Sequence, residues 1–354
     1  MIRARIRKKF PAGPESAPFS LDLEFEAGAR TTVLFGPSGS GKTLTLDCIA
    51  GFVRPDEGRI LLEDDLLFDA PTRVHLTPQQ RRCGYVFQNY ALFPHMTLRQ
   101  NLEFAVERQP RAERRRRVDE MLGRFRLDDV AGRRPHQVSG GQKQRGSIAR
   151  ALIGSPRVLL LDEPARGLDA PLRAEFYAVL RQVGAEFRTP IVLVTHDLDE
   201  CFELGQLMLV LRDGRLVQSG SPRDIVDKPA NAEVARLLGL FNLLPVEIRA
   251  LDPGRNTSRV RFEETDLLGT YYPGHLIGDH VTICVRADAV RAVPRNDRPG
   301  PNQIPLDLLR AVDGPAGVRL EFASDVTVEV AHGVYDPAIR KWAVEFPPAA
   351  IKVL

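Results

Sequence analysis

Residues 19–25, FSLDLEF, alternate apolar and polar side chains, which predicts a strand with one buried face, and EAGAR then turns the chain. Residues 31–35, TTVLF, form a β-rich apolar run ahead of a glycine-rich loop. Residues 42–52 predict the next helix, with Leu44, Leu46, Ile49 and Ala50 spaced for burial. VRPDEGRILLEDDLLFD predicts a turn and a short strand pair, and residues 98–127 a charged helical stretch. Two nearly unbroken apolar runs, VLLLD at 158–162 and IVLVTH at 191–196, predict central strands covered on both faces, with a helix over 171–188 between them. Strands alternating with helices predict an α/β domain around a mainly parallel sheet.

After residue 238 the pattern changes. Over residues 245–354, short β-like pieces (SRVRF, VTICVRADAV, GVRLEF, VTVEV) are separated by Pro/Gly turns, including a loop-like PRNDRPGPNQIP at 294–305. A small antiparallel β-domain is expected there, with its boundary near residues 239–245 and no strong internal repeat.

A chain of 354 residues and 39.4 kDa can build more than one core. Its 43% hydrophobic and 27% charged residues are those of a globular protein, and a net charge of +3 alone gives no argument for nucleic acid. The arginine run in RAERRRRVDEMLGRF reads first as a solvated helix face. Cys48, Cys83, Cys201 and Cys284 are scattered without metal or redox spacing, as expected in a reducing compartment. MIRARIRKKF is basic but lacks a following apolar segment, and nowhere do about 18 uncharged apolar residues run together. A membrane role is therefore expected to come through a partner.

The octet Gly36, Pro37, Ser38, Gly39, Ser40, Gly41, Lys42, Thr43 fits G-x-x-x-x-G-K-[ST] between a strand and a helix, with Thr45 just beyond. Its amides and the helix N-terminus are suited to cradling phosphates, Lys42 to reaching β/γ oxygens and the Thr43 hydroxyl to ligating magnesium. VLLLDEP brings Asp162 to a strand end, where a carboxylate can hold magnesium. Glu163 beside it can polarise an attacking water, and His196, ending the next apolar run, can reach a terminal phosphate. Each fragment alone also fits a plain turn or strand end. Their order favours a nucleotide site.

With Val138-Ser-Gly-Gly-Gln142 in HQVSGGQKQRGSIARAL, the chain resembles the ATP-binding subunit of a bacterial ABC importer over about residues 1–235. The resemblance implies a P-loop NTPase fold of the ABC ATPase type in residues 1–238, with a helical subdomain at about 89–155. It implies ATP and Mg2+ as cofactors. Ser139, Gly140, Gly141 and Gln142 would meet the γ-phosphate held by the opposite chain of a head-to-tail homodimer. Gln88 would sense magnesium and γ-phosphate, Asp169 would cross the dimer interface, and Phe10, with Phe19 as rival, would stack on adenine. Glu163, His196 and Lys42 would be catalytic, and Thr43, Gln88 and Asp162 would ligate the metal. Residues near Tyr90 to Pro94 would border the groove receiving a coupling helix of integral membrane permease subunits. Those subunits would be served by a periplasmic or lipid-anchored binding protein, which puts the chain on the cytoplasmic face of the membrane, with no nucleic acid expected. Arg166 and Gly167 depart from the small or hydroxyl residues usual there, and Val138 replaces a common leucine.

Residues 245–354 more loosely resemble the oligonucleotide-fold-like (TOBE-like) accessory domain of such importers. LLFDAPTRVHLTPQQRRCGYVFQNYALFPHMTLRQNL, especially its LFD and LTPQQRR portions, resembles molybdate importer ATPases, which favours molybdate or tungstate over sulfate, ferric iron or a polyamine as cargo. An ABC ATPase remodelling nucleic acid or ribosomes would want a coiled coil or a second cassette, and a small-molecule kinase would leave SGGQ without a role. Neither feature of the remodelling class is evident in the sequence.

Overall fold

The computed structural model describes the chain except for residues 14–16, 29, 188, 296–299, 315–316 and 340. It divides into two compact units, residues 1–225 and 226–354.

The first unit begins with β1 (Ile2–Phe10), β2 (Phe19–Ala27) and β3 (Thr31–Phe35), followed by α1 (Lys42–Ala50). Then come β4 (Glu57–Leu62), β5 (Asp65–Asp69), β6 (Val74–His75), α2 (Pro78–Arg81) and β7 (Cys83–Val86). Helices α3 (Leu98–Ala105), α4 (Arg111–Arg124) and α5 (Gly140–Ile153) pack on one another before β8 (Val158–Asp162), α6 (Ala170–Glu186) and β9 (Ile191–Thr195). The unit closes with α7 (Leu198–Leu204), β10 (Leu207–Arg212) and β11 (Arg215–Gly220).

These strands form one sheet in the order β6-β5-β4-β1-β2-β11-β10-β3-β9-β8-β7. Only the segment β10-β3-β9-β8-β7 is parallel throughout. The expected mainly parallel sheet is thus half of a mixed one. The antiparallel wing follows from its alternation: β1 buries Ile2, Ala4 and Ile6 and turns Arg3, Arg5 and Arg7 toward carboxylates, whereas β8 and β9 are buried at every position. The single helical stretch expected over 98–127 is two helices, because Pro110 cannot continue α3 and instead caps α4. The arginines there have local partners: Arg116 pairs with Glu113, and Arg117 donates to the Ile153 carbonyl at 2.7 Å. Arg188, the expected end of α6, lies outside the described residues.

The second unit is β-rich. The strand Phe241–Asp252 lies between Thr257–Phe262 and His280–Arg286 in a five-stranded sheet, accompanied by two three-stranded sheets, all paired antiparallel. Val246, Ile248, Leu320, Phe322, Val344 and Phe346 are among its core residues. The division precedes the expected junction at 239–245 because the helix Ala232–Leu238 packs on strands Phe241–Asp252 and His280–Arg286. Of the loop expected at 294–305, Gln303–Leu306 is a strand paired with Trp342–Glu345, and 296–299 lie outside the described residues.

Candidate functional site

The parallel strands deliver three adjacent C-terminal ends to one edge: β3 runs into the glycine loop, β8 ends at Asp162 and β9 leads to His196. Ligands bind at such edges because helix N-termini and loop amides converge there. The loop geometry demands its glycines at two points. A Cβ on Gly36 would stand 2.2 Å from the Leu211 carbonyl oxygen, and Gly41 caps α1 in the left-handed region at φ 97°.

Lys42 is buried, and its ammonium donates to the carbonyls of Gly36 and Pro37, each at 2.8 Å. Desolvation lowers its pKa, opposed by the charges of Glu163 and Asp162. Thr43 Oγ1 donates to Asp162 Oδ1 at 2.9 Å, joining α1 to β8 across 119 residues. Burial raises the Asp162 pKa, with the Thr43 hydrogen bond pulling the other way. A cation between these oxygens would relieve that penalty. Among the described residues no group of three or more His, Cys, Asp and Glu side chains could hold a metal. The Thr43 hydroxyl and Asp162 carboxylate are hard oxygen donors of the kind magnesium takes, one or two at a time, beside phosphate and water.

Glu163 occupies a left-handed backbone turn at φ 43°, pinned by its N–H to the Val194 carbonyl at 3.0 Å. Its carboxylate meets His196 Nδ1 at 3.3 Å through Oε1 and Arg166 Nη1 at 2.8 Å through Oε2. Phe10, Phe19, Ser38, Gly39, Gly41, Lys42, Thr43, Leu44, Gln88, Asp162, Glu163 and Arg166 line one open cleft of about 540 Å³, within the range of small-molecule sites. Phe10 and Phe19 are directly paired across β1 and β2, and Phe10 is 41% exposed, with the Lys8 ammonium over its ring at 5.6 Å.

Other expected residues stand outside that lining. Thr45 is fully buried and donates to the Gly41 carbonyl at 2.8 Å, so its hydroxyl is bound into the helix rather than offered to phosphate. Ser40 Oγ is buried beside Gly36 without a hydrogen-bond partner among the described residues. Ser139 and Gln142 cap α5 reciprocally, Ser139 Oγ accepting from Gln142 N–H and Gln142 Oε1 from Ser139 N–H. Around Gly140 the space is open, whereas a Cβ on Gly141 would press on Leu172. Asp169 caps α6 through the Leu172 N–H at 3.0 Å. In this chain SGGQ and Asp169 do not line the lysine-loop cleft.

Two residues beyond the motifs shape the site. Arg81 lies fully buried under α1, donating to the Cys48 and Ile49 carbonyls at 2.7 and 2.9 Å, and Gln144 of α5 donates to the Pro164 carbonyl beside Glu163. Nothing in QQRR distinguishes Arg81 from the exposed Arg82. Near the cleft, Tyr90 and Ala91 form a left-handed turn held by Ser147 and Arg150, and the exposed Phe52 and Phe87 rings stack at 5.9 Å.

A family description, ABC transporter, matches residues 19–166. The chain is 44% identical over 233 residues to the spermidine/putrescine import ATP-binding protein PotA of Nitratidesulfovibrio vulgaris, covering 65% of this chain and 61% of that one. It is 37% identical over 250 residues to the molybdenum import ATP-binding protein ModC of Paramagnetospirillum magneticum, covering 71% and 69%. The solved dimeric structure of the ATP-binding cassette MJ0796, in a post-hydrolysis state bound to ADP and Pi, superposes with a TM-score of 0.54 at 28% identity, covering 63% of this chain and 99% of that one. With this coverage, and with the lysine loop, Asp162, Glu163 and His196 at one sheet edge, the chain belongs to the ABC transporter family and carries its ATPase domain.

Proposed function

We propose that the chain hydrolyses ATP to drive import through a separate pair of integral membrane permease subunits. The observation that carries this reading is the convergence of Lys42, the Thr43–Asp162 pair and Glu163 on one cleft, with His196, outside that lining, meeting the Glu163 carboxylate. In the reaction, a water oxygen bonds to the γ-phosphorus while the bond to the β–γ bridging oxygen breaks. ADP leaves with that electron pair, the water proton passes to Glu163, and the products are ADP, phosphate and a proton. Glu163 orients the water, His196 holds the carboxylate and reaches the γ-phosphate region, and Lys42 exchanges its loop carbonyls for phosphate oxygens. Bound magnesium, held by Thr43, Asp162 and Gln88, would supply a Lewis acid for the β/γ oxygens.

Two copies would face head to tail, each offering Ser139, Gly140, Gly141 and Gln142 to the nucleotide on the other's lysine loop, with Asp169 at the seam. The dimeric state named for the MJ0796 cassette and the open space around Gly140 support this arrangement. No helix among the described residues is long and apolar enough to cross a membrane. The exposed rings near Gln88 suit the docking of a permease helix on the cytoplasmic face, with a periplasmic or lipid-anchored binding protein supplying cargo. The β-rich second unit fits the accessory domain of such importers.

For cargo, the segment around LTPQQRR favours molybdate or tungstate, and the relatives named for spermidine/putrescine favour a polyamine. Reconstitution with the permease and binding protein tests both. Magnesium-dependent ATPase should rise with one of molybdate, tungstate, sulfate, ferric iron or spermidine. A chain without magnesium-dependent ATPase activity in that assembly would refute the proposal.

A further inference from the structure

We propose that Arg166 is a γ-phosphate ligand that rests on the Glu163 carboxylate until ATP enters. The inference rests on the ATPase reading and adds to it a residue that the family's motif does not supply. Arg166 lines the same cleft as Lys42, Ser38, Gly39 and Gln88. Both cations of this cleft are docked on protein oxygens: Lys42 on two loop carbonyls at 2.8 Å, Arg166 on Glu163 Oε2 at 2.8 Å.

Of the Arg166–Glu163 pair, the arginine is the member able to move. Glu163 is 13% exposed, fixed by its backbone turn and by His196 on its other oxygen. Arg166 is 57% exposed and precedes Gly167, a left-handed residue with open space around it. A terminal phosphate offers a guanidinium more negative charge than a carboxylate and the same forked acceptor geometry. Transfer of Arg166 to the γ-phosphate would uncover Glu163 Oε2 as an acceptor for the water proton. ADP has no γ oxygens, so the arginine would return to Glu163 after hydrolysis. The consequence is an arginine that discriminates ATP from ADP.

The test measures equilibrium binding of ATP and ADP to the full chain, using fluorescent nucleotide displacement, for wild type, Arg166→Ala and Arg166→Lys, each with Glu163 or Glu163→Gln. Loss of one charge-assisted contact, less the resting pair given up, should weaken ATP about tenfold and ADP less than about threefold in Arg166→Ala, with Arg166→Lys between. The loss should persist in the Glu163→Gln background. If it vanishes there, Arg166 merely neutralises Glu163 and the proposal fails. Equal weakening of ATP and ADP, or none, also overturns it. Far-UV circular dichroism checks that the variants fold, and Arg166→Lys preserves the test if Arg166→Ala does not. Wild type unable to bind ATP, or binding that ignores Lys42→Ala, would instead strike the ATPase reading.

Discussion

Replacing Arg81 by methionine removes a guanidinium that closes the far end of the phosphate-binding helix. Its Nη1 satisfies the Cys48 and Ile49 carbonyls at 2.7 and 2.9 Å, and its Nε satisfies Leu76 at 2.9 Å. The last turn of a helix has no intrahelical donors for such carbonyls, and a cation there also complements the helix dipole. Each stripped, buried carbonyl costs about 1–3 kcal/mol. Against this, burial holds the Arg81 pKa below its ordinary value and Nη2 has no partner among the described residues, so relief of desolvation returns part of the loss. The net expectation is about 3 kcal/mol, which for a unit of this size lowers Tm by about 6–12 °C. Thermal melting followed by helical circular dichroism reports it, because the longer helices α4, α5 and α6 lie in the first unit. Arg81→Lys should recover only part, since an ammonium cannot span three carbonyls as a fork does. A methionine variant melting within about 2 °C of wild type would refute the buttress.

Glu163→Gln should keep ATP binding and lower turnover by about 10²–10⁴-fold, measured as phosphate release, because shape is retained and the base is lost. Lys42→Ala should chiefly weaken nucleotide binding, read as a higher Kd in a direct titration. Ser139→Ala should suppress ATP-driven dimerisation in sedimentation, and a variant that dimerises and hydrolyses normally would contradict the shared site. Burial pushes the Glu200 carboxyl up to about 7 from 4.5. The folded chain then binds its proton more tightly than the unfolded one, so this contribution is full below about pH 4.5 and is lost as pH rises through 7. It amounts to about 3 kcal/mol. Glu200→Gln should flatten that part of the urea-stability profile, and an unchanged slope would assign it to other groups.

The strands bearing the chemistry were legible because burial on both faces leaves a continuous apolar run: β3 and β8 span the residues read from the sequence, and β9 stops one short of His196. That the Gly36–Thr43 segment joins a strand to a helix was legible, because an apolar run precedes its glycines and a periodic one follows them. The Thr45 hydroxyl finds a carbonyl one turn back, a competitor that motif spacing does not reveal. The antiparallel wing was only half legible. Its alternation marks half-buried strands, but not that β1 inserts between β2 and β4.

By itself, then, the sequence determined which segments have a buried face and which loops can hold an anion, since both are encoded in neighbouring residues. Only the tertiary structure decided which distant polar groups meet: Arg81 with the end of α1, Thr43 with Asp162, and Arg166 with a Glu163 already braced by His196. Periodicity assigns a side chain to a face. The partner it finds there depends on strand order and loop path, which no local pattern records.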